Sequence, residues 1–315
     1  MNNIFRLLPG EDILGFVGRM HYLGPFSTFE TTRQHLGLTA KRIQPGKITN
    51  KDELKLGKLL KLEPEYIKNQ HSHSMMLRYC ATPEEIDKAY DYYATDKVKT
   101  VTFFDSSGVK ANPWRWCKEC ASEDSEKYGC SYYHRNHQIQ GVWHCHKHEC
   151  LLMSECQNCG FEANSINKQC VPPSDGICSV CNFEFEPKIS YISPIMLEVE
   201  KVLLSMASGA LNTNYTDMTK RALDYIGIDY ESVELRVGMQ YVREFYRNIL
   251  QFYDVDELTE YFFNVEEING NVRLKTMCRN RLYNCQTKQL PLHPICYALM
   301  HVFLEYHHDA VPLAA

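Results

Sequence analysis

The sequence has no apolar run near the roughly 18 residues that cross a bilayer, which predicts a chain without a membrane-spanning helix and without a membrane partner. It also lacks an excess of positive charge. Lys and Arg total 34 against 39 Asp and Glu, for a net charge of −5 and a pI near 6.2. A protein that grips nucleic acid over its whole surface is therefore excluded, and any such contact must be local or shared with partners. The opening MNNIFRLLPGEDILGF has no basic n-region leading into an apolar core and a small-residue cleavage site, which predicts an intracellular protein.

Catalytic signatures are missing too. There is no Gly-x4-Gly-Lys-Ser/Thr loop to cradle phosphates and no Gly-x-Ser-x-Gly elbow. His148-Glu149-Cys150-Leu151-Leu152 starts like the zincin helix but has leucine where the second histidine must close the metal site. Neither late Cys-x2-Cys pair follows a proline or has the upstream histidine–glutamate partner of a nucleobase deaminase. Asp105, Glu123 and Asp124 have no spacing that separates them from turn and surface carboxylates. The expectation is a chain that is not an enzyme.

Cysteine, by contrast, is plentiful: fourteen in 315 residues. Eight ligand-type residues fall into four pairs, Cys117-x2-Cys120, Cys145-x2-His148, Cys156-x2-Cys159 and Cys178-x2-Cys181. Two residues separated by two others on a tight knuckle can both turn to one tetrahedral ion. The simplest pairing places Cys117, Cys120, Cys145 and His148 on one zinc and Cys156, Cys159, Cys178 and Cys181 on a second. Both sets are closed, with no position left for water, which marks structural rather than catalytic metal. In a reducing compartment this clustering favours metal over disulfides. Cys130, Cys150, Cys170, His144 and His146 lie close enough to be rival ligands. Cys80, Cys278, Cys285 and Cys296 sit in helical patterns, where a free cysteine is usually a small buried hydrophobe.

Charge is uneven along the chain. Between Arg33 and Lys61, eight basic residues face two acidic ones, a local charge of +6. Arg42, Lys47, Lys51, Lys55 and Lys58 are the candidate DNA contacts in this stretch, and a solvated helical face would look the same. Its setting is a series of short helices: an apolar face from Ile13 to Met20, a helix capped by Ser27 or Thr28 and ended by Gly37, one carrying Leu54 to Leu60, and one opened by Pro64. Short basic helices joined by tight turns resemble a helix-turn-helix module. A later acidic block, Asp254, Asp256, Glu257, Glu260, Glu266 and Glu267, is followed by Arg273, Lys275, Arg279 and Arg281.

The predicted organisation is mainly α. Residues 1–80 form a helical, helix-turn-helix-like module. Residues 81–113 form a connector with an acidic helical piece and a strand over 98–104. Residues 114–187 form a tandem zinc-finger region of knuckle or ribbon type. Residues 188–315 form a helical C-terminal domain, with helices over 195–206, 218–226, 233–252 and 294–306.

The residues around the knuckles carry a resemblance. Trp116-Cys117-Lys118-Glu119-Cys120, Tyr128-Gly129, Tyr132-Tyr133-His134-Arg135-Asn136-His137-Gln138, Gly141-Val142-Trp143-His144-Cys145-His146-Lys147-His148 and Cys156-Gln157-Asn158-Cys159-Gly160 closely resemble the core of the TniQ family, which includes TnsD. Leu8-Pro9-Gly10-Glu11-Asp12-Ile13-Leu14 with Arg19 is similar to the family's N-terminal pattern, and Leu292-His293-Pro294-Ile295 to a His-Pro helix start in TnsD-like members. Lys118 and His146 replace prolines common in the family; proline there stiffens the knuckle without ligating metal. The resemblance implies a transposon target-site selector in the bacterial cytoplasm. It would bind target DNA or ride on a CRISPR Cascade complex with its guide RNA, and would recruit a TnsC-type AAA+ ATPase that brings the transposase. A homodimer is compatible with it. The length, below that of the longest attachment-site members, favours a compact adaptor or a core lacking extra DNA-reading domains; the acidic overall charge also suits an adaptor, and both the guided and the attachment-site modes suit the chain. His134 and Arg135 are candidate phosphate or partner contacts, or packing residues like His137 and Trp143. A zinc-stabilised helix-turn-helix transcription regulator is the alternative.

Overall fold

The computed structural model describes residues 6–38, 43–45, 51–84, 86, 113–188, 191–227, 245, 247–262, 265–268, 271–274 and 293–307. They divide into two units. One comprises residues 1–75, 112–193 and 207–209, and the other residues 76–111, 194–206 and 210–315. The N-terminal helices and the knuckle region thus share one compact unit. Among the described residues no helix is long and apolar enough to cross a membrane.

In the first unit the expected helices form as α1 (Gly15–Leu23), α2 (Phe29–His35), α3 (Lys51–Leu60) and α4 (Pro64–Gln70). Thr28 caps α2 through a reciprocal bond with Thr31, and Gly37 takes the left-handed φ of +67° that ends it. Pro64 opens α4, where its missing N–H costs nothing. On α1, Phe16, Val17 and Met20 are fully buried, each burial contributing about 1.5–3 kcal/mol. They pack with Trp114, Trp116, Tyr133, Ile166 and Phe185 from the knuckle region. Gly18 makes the approach possible, since a Cβ there would lie 2.1 Å from the carbonyl oxygen of Cys170.

The turn before α1 carries the heaviest polar load. Glu11 is wholly buried and pairs with Arg19, its two carboxylate oxygens each 2.7 Å from the guanidinium. The second oxygen also accepts the Leu8 N–H, while Arg19 donates to the Arg6 carbonyl. Asp12 accepts the N–H groups of Leu14 and Gly15 at the start of α1 and lies 3.1 Å from His73 Nε2. Main-chain bonds then fasten this turn on both sides, from Asp12 N–H to the Tyr133 carbonyl, Arg135 N–H to Gly10 and Ile13 N–H to His71.

The second unit contains α6 (Pro194–Ser208) as far as residue 206, α7 (Tyr215–Tyr225), α8 (Val255–Tyr261) and α9 (Pro294–Tyr306); α5 (Lys118–Tyr128) belongs to the knuckle region of the first. Asn214, Asp254 and His293 cap α7, α8 and α9. α9 is buried from Pro294 to Met300 and packs on α7, with Tyr225, Phe245, Phe252 and Phe303 in edge-to-face contacts. Tyr253 donates to the Leu299 carbonyl at 2.6 Å. The helix expected over 233–252 is described only at 245 and 247–252, which are helical; the strand over 98–104 lies outside the described residues, as do Cys278 and Cys285.

The acidic block is divided by the fold. Asp254 caps α8, and Asp256 and Glu257 follow in its first turn, where negative charge meets the helix dipole. Glu266 and Glu267 stand on β1 (Val265–Ile268), antiparallel to β2 (Asn271–Leu274), with Glu266 opposite Arg273. The sequence between the strands is Asn269-Gly270, the favoured dipeptide of a two-residue hairpin and the local signal for this pair.

The buried charges set the stability of this unit. Arg19→Leu leaves Glu11 buried without its partner and should lower unfolding free energy by about 3–5 kcal/mol in denaturant titration, a loss partly recovered in the double variant with Glu11→Leu. Glu53, in the first turn of α3, is buried; burial first, then Asp12 and Asp52, push its carboxyl well above 4.5. The folded chain holds a proton that the unfolded chain releases, so this contribution is present below the unfolded pKa and lost as pH rises through the folded value. Glu53→Gln should exceed the parent's melting temperature at pH 8, with the gap closing as pH falls towards 4.

Candidate metal centres

Three of the four ligand pairs sit on one repeated turn. The N–H of the first ligand donates to the carbonyl five residues on: Cys145 to Cys150, Cys156 to Phe161 and Cys178 to Phe183, each at 2.8 Å. The residue before that carbonyl turns left-handed, with φ of +55° at Glu149, +68° at Gly160 and +58° at Asn182. Such a turn aims both ligands of a pair to one side. The remaining pair is built differently. Cys117 is the N-cap of α5, its sulfur 3.4 Å from the Cys120 N–H, so the helix start turns both thiols towards the Cys145 knuckle.

The structure brings each expected set together. One ligand atom from each of Cys117, Cys120, Cys145 and His148 lies within 4.8 Å of the others, and the same holds for Cys156, Cys159, Cys178 and Cys181. Tetrahedral zinc with bonds of about 2.0–2.3 Å sets ligand–ligand edges of roughly 3.5–3.8 Å. His148 Nδ1 is 3.3, 3.4 and 3.7 Å from the sulfurs of Cys117, Cys120 and Cys145, and Cys120 is 3.6 Å from Cys145. In the second set Cys156 to Cys181 is 3.5 Å and Cys159 to Cys178 is 3.8 Å. The donor sets therefore fit zinc, and no disulfide occurs among the described cysteines.

Sulfur contacts within the first set perturb its thiols in opposite directions. Hydrogen bonding to Cys120 and Cys145 pushes the Cys117 thiol far up, while bonds from Cys117 and Cys120 push Cys145 far down. In the second set Cys181 is brought down to about 6, chiefly by the Asn158 side chain. Glu123 lies 3.2 Å from His148 Nε2, on the ring edge opposite the ligating nitrogen, and also pairs with Lys147. A carboxylate behind a ligating histidine fixes tautomer and ring orientation.

The two sets are mechanically joined. Trp116, beside Cys117, meets Phe185 edge to face at 4.9 Å, and Lys118 pairs with Glu184. Cys156 and Cys178 are themselves members of the core around Phe16 and Trp114, whereas Cys159 is exposed. Burial pushes the rival thiols Cys130 and Cys170 up to about 11, and neither joins a ligand group among the described residues. Cys150 lies 3.4 Å from Cys117 and 3.2 Å from Glu119, outside the tetrahedron. His144 joins no ligand group among the described residues, and His146 meets only Cys145 and His137.

Other expected contacts resolve differently. Arg135 is buried and donates to the Asn69 carbonyl at 2.6 Å and to Asn136, so it holds the first unit together and is not offered to phosphate. His134 lies 2.7 Å from Asp124 and stacks on Tyr132. Glu123 and Asp124 thus serve histidines near the first set. In the basic stretch, Arg33 is buried against Glu30 at 2.6 Å. Lys58 is exposed and Lys55 half-buried, its ammonium 3.3 Å from the Gly37 carbonyl. Arg42, Lys47 and the Lys51 side chain lie outside the described residues, as does Asp105.

Helices packed on two knuckle sets, each able to hold a tetrahedral zinc ion, define a class of cysteine-knuckle scaffold. Within that class the match is specific: residues 4–152 match the TniQ family model, from the turn before α1 through the first ligand set, so this stretch is a TniQ domain. The TniQ domain ties the chain to transposon-associated target selection or DNA binding. The second ligand set lies beyond the matched residues. No curated protein matches the chain.

Metal analysis of the purified chain should return two zinc ions. Cys117→Ser or Cys156→Ser should each lose one ion and expose the buried tryptophans to quenchers, because structural metal contributes folding energy directly. Glu123→Ala should fold yet hold zinc about tenfold more weakly in chelator competition.

Proposed function

We propose that the chain is a non-enzymatic target-site selection adaptor of a transposon. It engages target DNA, an RNA-guided Cascade complex or both, and recruits a TnsC-type AAA+ ATPase and, through it, the transposase. The observation that carries this reading is the single TniQ match that runs across the helical module and the first ligand set, the two parts that one unit fuses. An adaptor must hold several partner surfaces in fixed geometry, and a metal-stapled unit supplies that rigidity where loops alone would not.

Two further features support it. The ligand sets are closed, so neither offers an open coordination position for chemistry. On α3 the charges are segregated: Asp52 and Glu53 turn inward and are buried, while Lys58 and then Lys61 are exposed. That leaves a positive outer face suited to phosphate or to an acidic partner surface. A zinc-stabilised helix-turn-helix transcription regulator would share this face but would need no ATPase.

The test is a triple substitution of Lys51, Lys55 and Lys58 to Glu. Weaker DNA association by the assembled complex is expected, with the log–log salt slope shallower by roughly one unit for each phosphate that is no longer neutralised. Two bound zinc ions should remain. The parent chain should co-purify with the ATPase encoded beside it; DNA binding without any ATPase association would favour the transcription regulator. Nucleotide hydrolysis or DNA cleavage by the purified chain, abolished by changing one of its own residues, would overturn the non-enzymatic reading.

A further inference from the structure

The first ligand set is surrounded by more donors than one tetrahedral ion uses. His137, Cys145 and His146 each bring a ligand atom within 4.8 Å of the other two, and two of these three residues are outside the closed set. His137 is the unusual member. It is only 1% exposed, and neither ring nitrogen makes a well-formed hydrogen bond, the Cys145 sulfur being the polar group its ring meets. A buried imidazole whose ring meets a cysteine sulfur and no well-formed hydrogen bond is placed to ligate an ion held by that sulfur.

The surroundings supply the rest of a site. His146 is exposed and its ring centroid is 6.1 Å from that of His137, so the group opens to solvent at one end and is sealed at the other. Cys145 is the link: a thiolate bound to one ion keeps lone pairs for a second. The opposite flank behaves differently. Cys117, Glu119 and Cys150 also cluster, but there Cys150 and Glu119 satisfy each other at 3.2 Å.

We propose that His137, Cys145 and His146 form an auxiliary metal position that shares the Cys145 thiolate with the first centre. Two imidazoles and a thiolate suit a borderline divalent cation, of which zinc is the ordinary case. With three protein donors the fourth position belongs to water. The shared thiolate divides its charge between two ions and His146 is exposed, so this ion is held more loosely than the structural pair and exchanges with solution. The proposal rests on Cys145 ligating the first ion.

The experiment starts from protein carrying its two structural ions, dialysed to equilibrium against buffered micromolar zinc, with metal counted per chain. A third equivalent is expected for the parent, bound at least about tenfold more weakly in His146→Ala, with both original ions retained. Cobalt(II) added to the two-zinc protein should give a thiolate-to-cobalt charge-transfer band that His146→Ala removes. His137→Leu should act alike; if it fails to fold, the surface variant and the cobalt spectrum still decide. Saturation at two equivalents, or a third equivalent undiminished in His146→Ala, would overturn the auxiliary site. Fewer than two ions in the starting protein would instead overturn the reading of the closed sets beneath it.

Discussion

The first unit depends on one buried carboxylate. Glu11 is fully enclosed, and burial alone raises its pKa, so it can remain charged there only because the Arg19 guanidinium and the Leu8 amide surround it. That pair fixes the turn from Gly10 to Ile13, and the turn's backbone is bonded to His71 after α4 and to Tyr133 and Arg135 in the knuckle region. Side chains repeat the pattern: Tyr132 reaches the Pro9 carbonyl and His71 the Glu11 carbonyl. A short segment therefore acts as the joint between two stretches far apart in sequence. The Glu–Asp–x–x–x–x–x–x–Arg pattern makes physical sense as this joint, with Asp12 adding the cap of α1.

Much of this is legible in the chain itself. The helices α1 to α4, α6, α7 and α9 announce themselves through apolar steps, caps and prolines, which are local signals. The ligand pairs do so through spacing. What local pattern cannot carry is the partnering across distance. In sequence Arg135 looks like a cation for phosphate, because nothing nearby reveals the Asn69 carbonyl that receives it. Arg33 looks like part of a basic face, although Glu30 one turn earlier is a visible partner. His137 looks like packing, and only the folded surroundings show it buried beside the Cys145 sulfur.

The ligand sets also differ in what they leave to the polypeptide. In the first, the helix cap at Cys117 and the carboxylate behind His148 pre-arrange the donors. In the second, the donors come from two copies of one turn, and two of their sulfurs double as core side chains beside Trp116 and Phe185. Charge repulsion between unbound thiolates would oppose the apolar packing that surrounds them, so the knuckles and the core form cooperatively when metal is present.

That double duty of Cys156 and Cys178 reaches beyond the molecule. With an ion in the second set, the chain would treat that ion as a folding reagent, and its supply would become a condition of the protein's existence. Newly made chains in a metal-starved cell would linger with exposed apolar surface and fall to proteases at unchanged synthesis. The amount of functional protein would then follow the labile zinc pool rather than the transcript, and the events it permits would be rationed by a nutrient.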